Sequence, residues 1–551
     1  MDCNERSIKD GRRISAIQIS KSDEKMSKSS DMKPIDFQEN RSHIDLFSGL
    51  MRAKKSFGGN TIALTDGDGR AMTYTEIIRA AFGLGSALKK GTKPGEVVGI
   101  MLPTGAAAII AFYAVLAYGR IPAMINFTSG ERNIKSAMKA AQIKRIITAH
   151  KFIEIGALDP LIEKLTDTAD LVYLEDVREG LSLSNKIAGA LGPALPRLFR
   201  SPAHFDKTGV VLFTSGTEGE PKGVVLSHKN IIANVDQVRA HIALDPSTDS
   251  LFNPLPTFHC FGLTVGAVLP LMAGVPVTCH PSPLQPKEIA KRIRKTGATI
   301  ALATDTFISQ YARAGSEGDL DSVRLAVCGA ERVKDETRQL VRKKFNIEIL
   351  EGYGATEAAP VIAANKLDAN KPGTVGLLME GMESDLTPVE GIEEGGRLRV
   401  RGPNVMKGYL RASNPGVVEQ PNEGWHDTGD IVAIDDEGFI RIMGRVKRFA
   451  KIGGEMVSLA VVENCASAIW PDNMHAAATL PDPRKGEQII LLSDTAEANR
   501  SEILAWCQNH GTPELAVPKK VYLVDEIPVL GTGKLDYGAI QKLAESLVEA
   551  G

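Results

Sequence analysis

The stretch VVLFTSGTEGEPKG, residues 210–223, carries the residue types that can grip a polyphosphate. Val210, Val211, Leu212 and Phe213 make a short apolar run that predicts a buried strand. It breaks into Thr214, Ser215, Gly216, Thr217, Glu218, Gly219, Glu220, Pro221, Lys222 and Gly223. Glycines let main-chain N–H groups approach an anion, hydroxyls donate to it, and the Lys222 ammonium adds a point charge. This is not the nucleotide loop in which Gly-Lys stands directly before Ser or Thr. The alternative is a polar β-hairpin with arms at 210–213 and 224–226.

A loop of this kind needs a frame, and the flanking sequence describes one. Residues 97–102 (VVGIML), 145–149 (RIITA) and 171–174 (LVYL) read as strands, and 106–116 as a buried helix following the first of them. This βα alternation predicts a layered α/β domain with a largely parallel sheet. Ile231, Val235, Val238 and Ile242 fall at i, i+4, i+7 and i+11, which predicts an amphipathic helix after the loop. Residues 298–304 and 324–331 read as strands bracketing another helical unit, and 396–410 as a short β unit with a tight turn. From about Arg445 onward the pattern is that of a small α+β domain, with helices near 461–470 and 501–510. Expected boundaries are a disordered tail over 1–41, a large domain over 42–444 and a small mobile domain over 445–551.

Composition narrows the class. With 43% hydrophobic and 24% charged residues and a net charge of −2, the 551-residue chain reads as a soluble globular protein without a nucleic-acid footprint. The six cysteines show no metal or redox spacing, which suits a reduced, cytoplasmic setting. The polar N-terminus has no secretory pattern, and the apolar run 105–118 is too short to span a bilayer. Residues 181–200 (LSLSNKIAGALGPALPRLFR) mix large apolar side chains with Lys186, Arg197 and Arg200, while Pro193 and Pro196 forbid one long helix. Two readings stay open for them: a surface insertion, or an element touching a membrane or a greasy substrate.

Four further strings, GYGATE (352–357), HDTGD (426–430), GRVKRFAKIGGE (444–455) and PVLGTGK (528–534), follow the loop in order. Together the five resemble the motifs of the adenylate-forming superfamily of acyl- and aryl-CoA synthetases, luciferases and adenylation domains. The resemblance implies that Thr214, Ser215, Gly216, Thr217 and Lys222 cradle the phosphates of ATP. Gly329, Ala330 and Glu331 match the adenine-side turn. Gly352, Tyr353 and Gly354 bring a ring to stack on adenine, Thr356 donates to the α-phosphate, and Glu357 holds Mg²⁺ through a hard oxygen ligand. Asp430 accepts the ribose hydroxyls and Arg445 contacts ribose and phosphate. His259, in LPTFHCFG, matches a gate between nucleotide and acid, although a buried structural histidine would look the same. Lys447 matches the hinge, where the backbone pivots between two domain orientations. Lys534 matches the mobile catalytic lysine. Two departures stand out: Arg448 replaces an Asp common after the hinge, and a Pro usual after the glycine turn is missing.

The implied chemistry is ATP-dependent activation of a carboxylic acid as acyl-AMP, followed by transfer to a thiol. Strings such as SGTEGEPKGV, LPTFHCFGLTVG and RFAKIGGEMVSL resemble the synthetase half of the bacterial 2-acylglycerophosphoethanolamine acyltransferase/acyl-[acyl-carrier-protein] synthetase. None of the ten histidines has an Asp five positions later, as the acyltransferase half requires. The expectation is therefore a free-standing long-chain acyl-ACP synthetase using ATP, Mg²⁺, a fatty acid and holo-acyl carrier protein. A long-chain fatty acid–CoA ligase is the close alternative, and a catalytically dead fatty-acid or nucleotide sensor the distant one. A cytoplasmic location is expected, with peripheral contact to the inner face of the membrane left open. If ACP is the acceptor, Lys447, Arg448, Lys451, Lys519 and Lys520 are the cations expected to meet its acidic surface.

Overall fold

The computed structural model describes residues 35–214, 220–452, 455–529 and 535–549. Two large sheets and one central helix build the frame of the first part. The eight-stranded sheet has a parallel core of Thr208–Thr214, Ile121–Met124, Val97–Ile100, Arg145–Thr148 and Asp170–Tyr173. Its other side is antiparallel: Thr208–Thr214 pairs with Lys222–Ser227, which pairs with Gly408–Arg411, which pairs with the edge strand Asn414–Glu419. The nine-stranded sheet runs parallel through Glu348–Gly354, Leu325–Gly329, Ile300–Ala303, Leu251–Asn253, Val277–Cys279 and Ile62–Thr65. Strands buried on both faces read as continuous apolar runs, which is why the segments near 97, 300 and 325 were legible.

The helix His228–His241 departs from its expected amphipathic form. It is buried nearly all round, and its polar residues serve as ties to neighbouring loops. Asn230 donates to the Pro403 and Val405 carbonyls, Asn234 to Val361, and Gln237 to Glu380. A buried amide is tolerable when its donors are used, so these side chains hold loops in place instead of facing water. The helix Ala106–Ala117 is likewise enclosed, lying against Tyr74–Leu88. Among the described residues no helix is long and apolar enough to cross a membrane.

Residues 35–41, expected in the tail, contribute instead to a 3-10 turn, Glu39–Ser42, that packs on the central helix. Ser42 is buried there, and Glu39 pairs with Lys229 at 2.6 Å. The 396–410 unit also differs from expectation. Gly396–Arg401 pairs with Glu383–Thr387 and His426–Ile434 in a separate four-stranded antiparallel sheet, while Gly408–Arg411 joins the eight-stranded one. The segment therefore staples two sheets together.

Arg445 still pairs with Asp430 in the ladder of the four-stranded sheet, and the next sheet begins at Phe449. The crossing between the two parts is the 3-10 turn Val446–Arg448. The small part is a five-stranded sheet carrying the helices Leu459–Ile469, Arg500–His510 and Tyr537–Glu549. Its helices cover both faces, one core forming around Val462, Leu491 and Ile503, the other around Ile490, Ile540 and Ala544.

Candidate active site

Strand ends and the turns after them collect most of the sequence-selected residues in one region. The strand Thr208–Thr214 delivers Thr214, and the register pairs it with Lys222 on the returning strand. The two strands flanking the loop are thus the arms of a hairpin, as the second reading of 210–226 expected. Ser215, Gly216 and Thr217 lie outside the described residues, as does Lys534.

Leu325–Gly329 and Glu348–Gly354 are adjacent parallel strands whose ends place Gly329 opposite Gly352. A Cβ on Gly354 would lie 2.2 Å from the Pro360 carbonyl oxygen, so only glycine fits there. Ala330 adopts φ +70°, turning the chain sharply, and the Glu331 carboxylate accepts from the Thr306 N–H at 3.1 Å. Gly329, Ala330, Gly352, Tyr353 and Gly354 are among the residues that line an apolar cavity. Phe261, Val265, Val238, Leu302 and Leu251 line the same cavity, whose volume is about 90 Å³.

Tyr353 does more than present a ring. Its hydroxyl donates to Asp430 Oδ2 at 2.5 Å, and Arg445 Nε donates to Asp430 Oδ1 at 3.0 Å. Asp430 is buried, and its own N–H donates to Thr428 Oγ1. Burial and the Asp430 charge together push the Tyr353 phenol well above its ordinary range, so it stays a donor. Both carboxylate oxygens are therefore engaged by groups that a ribose diol would have to replace or share.

Thr356 and Glu357 sit on a 3-10 turn, Thr356–Ala358, directly after the strand. The Met406 N–H donates to the Glu357 carbonyl at 2.7 Å, and Tyr409 Oη donates to Glu357 Oε1 at 2.7 Å. Lys222 Nζ lies 5.3 Å from the centre of the Tyr409 ring. Tyr409 thus stands between the phosphate-loop lysine and the carboxylate assigned to the metal. His426 is buried beside them, and burial pushes its pKa below the ordinary value although Glu357, Asp427 and Asp430 pull the other way. Tyr409 and His426 were missed as site residues. Both lay inside strings noted for other members, and nothing in their spacing marks them.

His259 occupies the turn before the π-helical segment Phe261–Val268, its ring 4.8 Å from Phe258 and two residues before cavity-lining Phe261. Glu357 supplies a hard oxygen, but among the described residues no group of three or more His, Cys, Asp or Glu could hold a metal. One carboxylate fits Mg²⁺ arriving with a nucleotide, since Mg²⁺ is usually held by one or two carboxylates plus substrate phosphates.

The crossing turn brings a correction. Arg448, expected among exposed cations, points into the small part: it pairs with Glu463 at 2.5 Å, donates to the Ala477 carbonyl at 2.7 Å, and lies 3.7 Å from the Tyr537 ring centre. Burial raises the Glu463 pKa against the pull of Arg448, and it pushes Tyr537 up to about 12. Of the other rim cations, Lys519 pairs with Asp482 at 2.9 Å and Lys451 with Glu390 at 3.6 Å. Lys447 is exposed on the turn itself.

A family model described as "AMP-binding enzyme" matches residues 51–410, which hold the phosphate loop, the adenine-side turn, GYGATE and Tyr409. The chain belongs to the AMP-binding enzyme family. Among curated relatives, a long-chain-fatty-acid–CoA ligase of Bacillus subtilis is 27% identical over 518 residues, covering 85% of this chain and 89% of the relative. A feruloyl-CoA synthase of an Amycolatopsis species is 28% identical over 492 residues, covering 86% and 94%. Among solved structures, ATP-bound MatB from Rhodopseudomonas palustris superposes with a TM-score of 0.78 at 22% identity, covering 92% of this chain and 99% of that one. The anthranilate CoA ligase AuaEII with anthranoyl-AMP gives 0.78 at 21% identity, covering 93% and 100%. This AMP-binding enzyme therefore shares their fold across both parts.

Proposed function

We propose that this AMP-binding enzyme joins a long-chain fatty acid to a phosphopantetheine thiol through acyl-AMP. The observation that carries the proposal is the apolar cavity whose lining includes the nucleotide-side residues Ala330, Gly352 and Tyr353. An acid lying in it would bury its chain between Val238, Val265 and Leu302 and keep its carboxylate beside the α-phosphate. In the reaction, a carboxylate oxygen attacks the α-phosphate of ATP and pyrophosphate leaves. The protein's part is positioning and charge neutralisation. Lys222 and the hairpin tip hold phosphate, Thr356 donates to the α-phosphate, Asp430 fixes the ribose, and Tyr409 keeps Glu357 oriented. Bound Mg²⁺ would supply further neutralisation at Glu357. Lys534 serves this step and then leaves with the small part, which turns about Lys447 to admit the thiol. His259, beside Phe258, acts as the gate between nucleotide and acid.

The motif resemblance supports holo-acyl carrier protein as acceptor. The names of the relatives support CoA as a second reading, since both offer the same thiol. A cytoplasmic enzyme drawing acyl chains from the inner face of a membrane suits either. The deciding experiment is pyrophosphate release with palmitate, followed by competition between holo-ACP and CoA for the acyl group. Turnover on palmitate above that on ferulate is expected, and Val265→Trp should cut kcat/KM for palmitate about tenfold or more while sparing octanoate. Equal loss on both acids would remove the cavity from the acyl site.

A further inference from the structure

The segment 181–200 is built with its large apolar residues on the wrong side for a core helix. Its first helix, Leu183–Leu191, starts with a Ser182–Asn185 capping box and packs on the helix Tyr74–Leu88 through small residues. Ala188 and Gly189 are buried, a Cβ on Gly189 would lie 3.2 Å from the Arg79 carbonyl, and one on Gly192 would lie 2.4 Å from Phe82. The large residues face outward: Leu183 is 74% exposed, Ile187 43%, Leu191 46%, Leu195 47% and Leu198 75%. Leu183, Ile187 and Leu191 stand at i, i+4 and i+8, one continuous stripe. A surface helix of a globular protein places such a stripe against its core.

The segment is held rigidly in this pose. Arg200 grips both oxygens of Asp45 at 2.6 and 2.7 Å, Lys54 donates to the Pro193 carbonyl at 3.1 Å, and Asn185 donates to Ser86 Oγ at 3.0 Å. Its charge is one-sided. Between Glu179 and Asp206 the sequence has no carboxylate, while Lys186 and Arg197 are exposed and Arg200 is neutralised by Asp45. At 100° per residue Lys186 lies on the flank between the buried face and the apolar stripe, where its stem can lie along apolar surface with its ammonium in the headgroup layer.

We infer that residues 181–200 dock this chain on an anionic lipid bilayer, with Leu183, Ile187, Leu191, Leu195 and Leu198 entering the interface and Lys186 and Arg197 meeting lipid phosphates. The docking deepens the proposed function and rests on it for its purpose, because a bilayer is where long-chain acids concentrate. The binding itself requires no catalysis.

The test is co-sedimentation of the full chain with vesicles of phosphatidylcholine alone or mixed with phosphatidylglycerol. The wild type should bind the mixed vesicles and lose affinity as salt rises. Leu183→Gln with Leu198→Gln should lower the partition constant about tenfold or more. Lys186→Glu with Arg197→Glu should remove the preference for phosphatidylglycerol. All four positions are exposed, so melting temperature and pyrophosphate release with a short soluble acid should match wild type. Absence of wild-type binding, or equal binding by the leucine variant, overturns the inference. So does a lipid-free dimer, seen by light scattering, that the leucine variant dissolves, because the stripe would then meet a second copy. If vesicle binding holds while no fatty acid is activated, the enzymatic reading falls and the docking stands.

Discussion

At the scale of single residues, Asp430 ties Tyr353 and Arg445 together. It is a buried carboxylate with the Tyr353 hydroxyl on one oxygen and the Arg445 guanidinium on the other. A ribose diol binding there exchanges water for a charge-assisted acceptor that is already oriented. Asp430→Ala should therefore raise the ATP KM by an amount corresponding to about 2–4 kcal/mol, and part of that cost comes from leaving the Tyr353 hydroxyl without its partner. Titrating ATP in steady-state pyrophosphate release measures it, and an unchanged KM and kcat would put the ribose elsewhere. The sequence made Asp430 visible because its motif is a contiguous string. Tyr409 was not visible, because its role arises only when Gly408–Arg411 folds onto Lys222–Ser227 and sets the phenol between Lys222 and Glu357.

Among the elements, legibility follows how local the signal is. The buried parallel strands and the enclosed helix Ala106–Ala117 were read from continuous apolar runs, and the expected α/β frame with mostly parallel sheets is what the chain adopts. The central helix was read as a helix but with the wrong surroundings, because spacing reports one apolar face and cannot tell that loops cover the other. That enclosure has a consequence in pH. His228 at its start and His241 at its end are both buried, and burial pushes each pKa from 6.5 down to about 4. At His228 the Asp45 charge opposes the shift and Arg200 adds to it, while His241 Nε2 donates to the Ala364 carbonyl. Above about pH 6.5 both histidines are neutral in either state, so their contribution is complete. As pH falls from 6.5 towards 4, the unfolded chain takes up protons that the folded chain refuses, and stability drops by about 3 kcal/mol per histidine. Urea midpoints should stay level from pH 8 to 7 and then fall, and His241→Gln should flatten that fall by about one proton. A midpoint unchanged between pH 7 and pH 5 would contradict it.

For the whole molecule, the question is how two bodies joined by a 3-10 turn pass through two half-reactions. Arg448 belongs with the small part, since its guanidinium is bound to Glu463, the Ala477 carbonyl and the Tyr537 ring, all in that part. The proposed pivot at Lys447 lies on the N-terminal side of Arg448, which suits this arrangement. Arg448→Ala should leave Glu463 buried without its counter-charge and destabilise the small part by about 3 kcal/mol, with Glu463→Gln restoring much of it. Hydrogen exchange in the helix Leu459–Ile469 reads this directly, and unaltered exchange would mean that the pair is dispensable.

The same clamp bears on Lys534, which precedes Tyr537 by three residues. Tyr537 opens the last helix and carries the Arg448 guanidinium on its ring, so the start of that helix is tied to the turn between the two parts. In the proposed rotation about Lys447, Arg448 and Tyr537 move together, and Lys534 is proposed to serve the phosphates only before that rotation. Neutralising charge on a departing pyrophosphate belongs only to the first half-reaction, so Lys534→Ala should lower palmitate-dependent pyrophosphate release about 100-fold or more. Thioester formation from supplied palmitoyl-AMP should stay within a few-fold of wild type, because the proposal gives Lys534 no part in that step. The two half-reactions are measured separately, by pyrophosphate release without thiol and by single-turnover thioester formation from the adenylate. Equal loss in both would mean that Lys534 acts through the stability of the small part and not through its position at the phosphates.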